Sequence, residues 1–301
     1  MKKLGIIAGV TAGGVLAVLC AGSFLLSSYA VNGRRQTLEE SYDWQKNHYD
    51  VSWYDGLEKT DYIVKGYQGY ELHVQLMKCG KETDQYVIIS HGHTDTRYGA
   101  LKYAKTYLDA DFNCIIYDLR GHGANEPAPC TYSILEGQDL AALIADTRER
   151  YGQEIFLGIH GESLGAATTV RSLEYSDQVD FAVADCGFAD ITNVLKVGIS
   201  WMHLPKWMVS FASIANRIRY GYFFSQMEPV QALAGNQVPI LFIHGEADNF
   251  IVPDNSVRMQ KATSGYSELH LIPGAGHAES VLVEPELYTE YVLAFLQKIH
   301  S

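Results

Sequence analysis

The chain has 301 residues, of which 47% are hydrophobic and 19% charged, a balance typical of a globular protein rather than a disordered or fibrous one. Acidic residues outnumber basic ones by 12 at neutral pH, and no basic patch is evident, which argues against nucleic acid as the main partner. The five cysteines are odd in number and irregular in spacing, so neither a disulfide framework nor a zinc site is predicted.

The amino-terminal segment differs in kind from the rest of the chain. No charged residue occurs between Lys3 and Arg34, and the apolar run over residues 4–30 is long enough for a membrane-spanning helix of about 20 residues. A cleavable signal peptide, the alternative, has a shorter apolar core, although residues 28–30 would suit a cleavage site. We therefore predict an uncleaved single-pass membrane anchor over residues 1–35.

The orientation of this anchor is weakly encoded. Two basic residues stand on each side of the apolar run. The rule that the cytoplasmic side carries more positive charge therefore hardly distinguishes the two orientations. A short basic amino terminus before a translocated domain is the commoner arrangement, and it predicts a cell-membrane protein whose large domain is extracellular. Residues 36–60 are polar and aromatic and are predicted to form a stalk with a helix that packs on this domain.

The domain over residues 61–301 begins with a predicted hairpin and continues with alternating strands and helices. Two β-rich runs lie on either side of Gly66 and Gly69, which is a hairpin signal. Continuous apolar strands are predicted at 86–90, 112–117, 154–160, 181–185, 238–244 and 268–272. Helices are predicted at 98–110, 133–151, 164–175, 254–264 and 285–299. This alternation indicates an α/β fold with a mostly parallel, doubly wound sheet and helices on both faces.

A long connection interrupts the alternation at about residues 188–231. It separates two strands by more than forty residues, and connections of this length inside a compact domain are usually functional. We predict a helical cap over the strand ends that lines an apolar substrate pocket; a helical pair packed as ordinary core is the alternative. The pocket residues predicted from this segment are Trp201, Trp207, Phe211 and Phe223.

The sequence Gly161-Glu162-Ser163-Leu164-Gly165 follows one predicted strand and opens the next helix. Small residues on both sides of a serine permit a tight strand-to-helix turn that lifts the side chain above the sheet. Such a pattern also arises by chance, and serine is a common helix cap. A catalytic serine needs a general base and a carboxylate that orients the base, so the partners decide between the two interpretations.

Candidate partners lie just past later strands. Asp248 follows the strand at 238–244, and His277 follows the strand at 268–272. The carboxyl ends of parallel strands meet at one edge of a sheet, where open α/β folds build their sites. Asp185, at the end of another strand, is the rival acid.

These segments together resemble the α/β-hydrolase superfamily over roughly residues 60–300, most closely its esterase, monoacylglycerol-lipase-like and serine-aminopeptidase-like branch. The resemblance rests on the segments HGHTD, DLRGHG, GESLGA, HGEADNFIVP and GAGH. It implies Ser163 as the nucleophile, His277 as the base and Asp248 as the acid, in the chain order expected for that fold. It also implies an oxyanion hole made by the backbone N–H groups of His93 and Leu164.

The implied activity is that of a serine hydrolase that needs no cofactor. The apolar cap favours a small-molecule ester with an apolar acyl or aromatic group as substrate, cleaved through an acyl-enzyme. A metal at His91, His93 and Asp95 has little support, because a spacing of this kind is common by chance and no further ligand stands out.

Three other activities stay open on the same sequence. A thioesterase would use the same three residues. An exopeptidase or amidase would also need carboxylates for a free substrate amine, and Glu162 is the one candidate. A non-catalytic binding protein is the third alternative, although such relatives usually lack a triad residue, and none is lost here. The oligomeric state is not predicted.

Overall fold

The computed structural model describes residues 19–300, and an eight-stranded sheet organises them. Its strands are β1 (Lys59–Lys65), β2 (Glu71–Met77), β3 (Gln85–Ser90), β4 (Asn113–Tyr117), β5 (Phe156–Glu162), β6 (Phe181–Asp185), β7 (Ile240–Gly245) and β8 (Ser267–Ile272). Their order across the sheet is β1-β2-β4-β3-β5-β6-β7-β8. The β1–β2 and β2–β4 pairs are antiparallel and all others are parallel, so the predicted mostly parallel sheet is confirmed.

Helices cover both faces of this sheet. They are α1 (helical over 19–31 in the described part), α2 (Leu38–His48), α3 (Leu101–Asp109), α4 (Ile134–Tyr151), α5 (Leu164–Ser172), α6 (Ile191–Trp201), α7 (Met208–Tyr220), α8 (Asp254–Ala262), α9 (Ser280–Val283) and α10 (Pro285–Ile299). Alternate residues of a strand point to opposite faces. Accordingly Ile88 packs in the core cluster that includes α4 and α5, and its neighbours Val87 and Ile89 pack in the cluster that includes α3 and α10. Burial on both faces explains the continuous apolar strands.

The long connection between β6 and β7 contains two helices, α6 and α7, followed by two short 3-10 helices at Phe224–Gln226 and Pro229–Leu233. Asp190 caps the first of these helices by accepting a hydrogen bond from the backbone N–H of Asn193. The helices stand at the carboxyl ends of the strands, where the sequence predicts a cap.

The amino-terminal segment packs on this cap. Ser27 and Val31 of α1 are buried, and the Ser27 hydroxyl lies 3.1 Å from the side-chain oxygen of Asn216 on α7. The first 18 residues of the predicted anchor lie outside the described residues. Within 19–300, no helix has both the length and the apolar character required for a bilayer span. In this part of the predicted anchor α1 therefore contacts protein, and the membrane anchor itself stays a prediction.

The predicted stalk also lies against the domain. A capping box joins Thr37 and Glu40 at the start of α2. The backbone N–H of Gln36 donates a 2.7 Å hydrogen bond to the carbonyl of Thr94, and Ser41 bonds the carboxylate of Asp95. This segment thus holds the loop that follows β3, which is one of the loops at the site described next.

Candidate active site

Ser163 occupies a strained turn between β5 and α5. Its backbone angles are φ 54° and ψ −111°, a conformation that costs a residue with a side chain on the order of 1–3 kcal/mol. The flanking glycines make the turn possible, because a Cβ on Gly161 would lie 2.1 Å from the carbonyl oxygen of Gly165, and a Cβ on Gly165 would lie 2.1 Å from that of Ser90. The turn presents the Ser163 hydroxyl at the carboxyl edge of the sheet.

The three residues predicted as a triad lie in one hydrogen-bonded chain. The Oγ of Ser163 is 3.0 Å from Nε2 of His277, and Nδ1 of His277 is 2.7 Å from a carboxylate oxygen of Asp248. Since a carboxylate only accepts, Nδ1 carries the proton and Nε2 is left to accept from the serine. This is the geometry that general-base activation of a serine requires.

Asp248 is held as a carboxylate by three hydrogen-bond donors and by the nearby ring of His244. Its Oδ1 accepts hydrogen bonds of 2.9 Å from the backbone N–H groups of Phe250 and Ile251. Its Oδ2 lies 2.7 Å from His277 and 3.3 Å from Nε2 of His244. Burial alone would raise the pKa of Asp248, but the neighbouring His244 and His277 rings and the backbone N–H of Phe250 outweigh it and hold that pKa well below its ordinary value.

The predicted oxyanion donors border the same space. His93 and Leu164 both line the cavity above Ser163, and Leu164 is the first residue of α5, where backbone N–H groups lack helical partners. Within residues 19–300 neither N–H donates to another protein group. Burial lowers the pKa of His93 to about 4, so its ring brings no positive charge to this space at pH 7.

An apolar cavity of about 590 Å³ opens above Ser163, within the range of about 300–1,000 Å³ typical of small-molecule sites. Aliphatic and aromatic side chains from α6, α7 and the loops form most of its wall. Those from the cap region include Ile191, Val194, Leu195, Ile199, Trp201, Met202, Val209 and Phe224. No residue among the described lining has a carboxylate.

Of the four aromatic residues predicted for this pocket, only Trp201 lines it. Trp207, Phe211 and Phe223 are outside the lining and are 51%, 45% and 39% exposed. Trp207 packs edge-on against Phe211 on the outer side of α7. The prediction for these three residues is corrected, because α7 turns its small residues inward: Ala212 lines the cavity.

Part of the cavity wall comes from a segment that the sequence analysis assigned to the membrane. Leu26, Tyr29 and Ala30 of α1 line the cavity, and the hydroxyl of Tyr132, another lining residue, donates to the carbonyl of Ala30. The sequence could not distinguish these two interpretations, because a long uncharged run is expected both for a bilayer-spanning helix and for the wall of an apolar pocket.

The cap contacts the base through one aromatic residue. Phe250 lies edge-on to the His277 ring, with centroids 5.3 Å apart, and also packs on Trp201 at 5.3 Å. Phe250 lies in the loop that begins with Asp248, so the same loop orients His277 and supports the cap. Neither Phe250 nor His244 was assigned a role from the sequence.

The other two carboxylates considered are buried beneath the turn. Glu162 forms an ion pair with Lys102 and accepts 2.6 Å from the Tyr103 hydroxyl. Asp185 accepts from the same hydroxyl at 3.1 Å and from Ser280 at 3.3 Å. Burial and the nearby Glu162 charge raise the pKa of Asp185 to about 6. No hydrogen bond or ion pair joins either carboxylate to His277 in the described structure, and neither lines the cavity.

Two of the three residues considered for a metal site, His91 and Asp95, have other partners. His91 uses one ring nitrogen to accept from the backbone N–H of Leu119 at 3.0 Å, and its other nitrogen lies 2.8 Å from the carbonyl of Gly92. Asp95 accepts from Ser41 and from the backbone N–H of Thr96.

Comparison with known proteins agrees with this fold. The chain is similar to the uncharacterised protein YqkD of Bacillus subtilis, with 27% identity over 309 residues that cover 100% of this chain and 99% of that protein. An esterase structure from Pyrococcus furiosus superposes with a TM-score of 0.66 at 22% identity, covering 81% of this chain and 92% of the other. A thermophilic esterase from Thermogutta terrifontis has a TM-score of 0.56 at 19% identity, covering 80% and 100%.

A family model identifies the chain more directly. Residues 138–300, more than half of the chain, match the model described as the prolyl oligopeptidase family. The matched part contains the Ser163 turn and the loops that carry Asp248 and His277. The chain therefore belongs to the prolyl oligopeptidase family, and it is a serine hydrolase of the α/β-hydrolase superfamily.

Proposed function

We propose that this protein cleaves carboxylic esters with an apolar acyl or aromatic group, and that its amino-terminal segment anchors it to a membrane. The observation that carries the proposal is the hydrogen-bonded chain of Ser163, His277 and Asp248 beside an apolar cavity of about 590 Å³. The chain of hydrogen bonds provides the nucleophile and base, and the cavity provides space for an acyl group.

In the first half-reaction, Nε2 of His277 takes the proton of the Ser163 hydroxyl as its oxygen attacks the ester carbonyl. The negative charge that develops on the carbonyl oxygen is stabilised by the backbone N–H groups of His93 and Leu164. His277 is then an imidazolium, which the ionised Asp248 stabilises. The imidazolium returns its proton to the leaving alcohol, and an acyl-Ser163 ester remains.

In the second half-reaction, water takes the place of the alcohol. Nε2 of His277 removes a proton from this water, which attacks the acyl carbonyl, and the same two N–H groups stabilise the oxyanion. Collapse of the intermediate transfers the proton from His277 to Ser163 and releases the carboxylic acid. The low pKa of Asp248 keeps its charge in place through both halves.

A peptidase is the second candidate, and the family match favours it. Recognition of a free substrate amine needs an uncompensated carboxylate near the nucleophile. Glu162, the candidate from the sequence, is paired with Lys102 beneath the turn, and no described lining residue has a carboxylate. This arrangement favours an ester over the free amino terminus of a peptide; a thioester would fit the same cavity.

The proposal of a membrane anchor rests on the amino-acid sequence and not on the contacts that α1 makes. Residues 4–18 contain no charge and lie before the part of α1 that packs on the cap. A membrane contact through this run would keep the cavity, part of which α1 lines, near the lipid surface.

The test uses the full chain in detergent with a fluorophosphonate probe, which reacts with activated serines. We expect labelling of the wild type and of the exposed-serine control Ser210→Ala, and none of Ser163→Ala. The wild type is then assayed on p-nitrophenyl esters, acyl thioesters and aminoacyl anilides. Labelling that persists in Ser163→Ala would remove the proposed nucleophile, and a preference for anilides over esters would favour the peptidase.

A further inference from the structure

An apolar stripe follows the outer side of α7 and the residue before it. Trp207, Phe211, Ile214 and Ile218 recur at intervals of four, three and four residues, which places them on one helical face. They are 51%, 45%, 52% and 70% exposed. Four large apolar side chains on one exposed face are unusual for a surface helix and mark an interaction site.

The outer side of α1 extends this stripe. Phe24, Leu25 and Tyr29 are 37%, 72% and 69% exposed. The two helices lie side by side, since the Arg219 side chain on α7 donates to the Ser28 hydroxyl on α1. We call the stripe of α7 and these three side chains of α1 the cap face.

The charges around the cap face are basic in an otherwise acidic protein. Residues 191–227 contain four basic residues and no acidic one, and residues 1–38 likewise contain four and none. The whole chain has an excess of 12 acidic residues. Two of the cap cations, Arg217 and Arg219, are exposed in the last turn of α7, on either side of Ile218 in the sequence.

We propose that the cap face docks on an anionic lipid surface, with α7 lying in the plane of the interface. A helix with a large apolar face and basic neighbours binds at the boundary between headgroups and acyl chains, and each basic residue near an anionic surface contributes about 1 kcal/mol. The uncharged run of residues 4–18 also leads into the cap face through α1. A second copy docked through the same face would instead bring two basic surfaces together.

This inference goes beyond the proposed hydrolase activity, since docking does not require Ser163. One consequence does rest on that activity. Tyr29, Trp201 and Met202 line the cavity and are also at least 50% exposed, so the cavity opens beside the cap face. A lipid ester in the docked bilayer would reach Ser163 without its acyl chain crossing water.

The experiment measures lipid contact at one position of the cap face in the full chain. The exposed Cys20 and the half-buried Cys79 are replaced by serine. A fluorophore is then attached to Ile214→Cys, or to the control Ile63→Cys. Ile63 is an exposed isoleucine like Ile214, with 43% of its surface exposed against 52% for Ile214, but it lies on the edge strand β1. Each labelled protein is placed as a single copy in nanodiscs of phosphatidylcholine and phosphatidylglycerol whose acyl chains carry nitroxide quenchers.

We expect several-fold stronger quenching at position 214 than at position 63, and a smaller difference when phosphatidylglycerol is omitted. Equal quenching at the two positions would overturn the proposal, because the anchor alone would then account for the membrane contact. Energy transfer between labels at 214 in larger vesicles, without quenching in the nanodiscs, would identify a second copy as the occupant and would also overturn it. Thermal unfolding of both labelled proteins checks that each is folded.

Discussion

Two tryptophans of the cap provide a matched test of the apolar pocket. Trp201 and Trp207 are 57% and 51% exposed, but only Trp201 lines the cavity. We expect Trp201→Ala to weaken the preference for longer acyl chains, and Trp207→Ala to leave it unchanged. Because Trp201 also touches Phe250, which contacts His277, the ratio of kcat/KM for octanoate to that for acetate is the informative quantity.

The size of the effect follows from the surface that Trp201 offers. A tryptophan has about 200 Å² of surface to bury, and at 57% exposure more than half of it is free of protein contact and open to solvent or to a ligand. An acyl chain that covers about 40 Å² of it gains about 1 kcal/mol at 25 cal/mol per Å². Loss of that contact lowers the octanoate-to-acetate ratio roughly fivefold. Trp207→Ala, a surface substitution, should change it by less than about twofold.

The assay is a p-nitrophenyl ester series from acetate to octanoate with both variants and the wild type. In the wild type, kcat/KM should rise by up to about fourfold per methylene until the cavity is full. Equal ratios in the two variants would refute the assignment of Trp201 to the acyl pocket. A wild-type profile that falls steadily from acetate would refute the apolar pocket itself.

Four further predictions address the Ser163 turn, the choice of acid, the buried Asp185 and α1. Ser163→Gly should be inactive but more stable to urea than Ser163→Ala by about 1 kcal/mol, because glycine accepts φ 54° without strain; equal stabilities would mean the turn is relaxed. Asp248→Asn should lower kcat far more than Asp185→Asn, and the reverse order would overturn the choice of acid. The pKa of Asp185 is raised to about 6, so the folded state binds more protons than the unfolded state between about pH 4 and 6. The free energy of unfolding should therefore fall by up to about 3 kcal/mol as pH rises through this range. Urea titrations of Asp185→Asn should lack that part of the fall, and a pH profile identical to that of the wild type would contradict the prediction. Deletion of residues 1–33 should lower both the melting temperature and octanoate turnover, and unchanged values would mean that α1 is dispensable to the cavity.

The sheet and the placement of the site residues could be predicted because strand ends are encoded locally. Each buried strand is a short apolar run, and the residue after it lies at the carboxyl edge of a parallel sheet whatever the neighbouring helices do. Ser163, Asp248 and His277 therefore converge once the strand order is correct. The choice between Asp248 and Asp185 depended on the resemblance, and of these two acids Asp248 is the one hydrogen-bonded to His277.

The pocket could not be predicted in the same way, because the phase of α7 depends on what packs against it. The stripe at 207, 211, 214 and 218 is the most apolar side of the helix, so hydrophobic periodicity alone assigns it to the core. The structure instead turns Val209 and Ala212 toward the cavity.

The anchor segment and α7 share one physical ambiguity. An apolar run or stripe in a sequence indicates a surface that avoids water, and it does not indicate whether protein or lipid covers that surface. In residues 19–31 the inner side of α1 contacts protein although the sequence indicates lipid, and on α7 the outer stripe is exposed although the sequence indicates protein. Both faces belong to adjacent helices at the opening of the same cavity. A lipid surface at the cap face would cover the exposed outer side chains of α1 and α7. The inner side of α1 would then contact protein while its outer side contacts lipid, which is consistent with both the uncharged sequence and the observed packing.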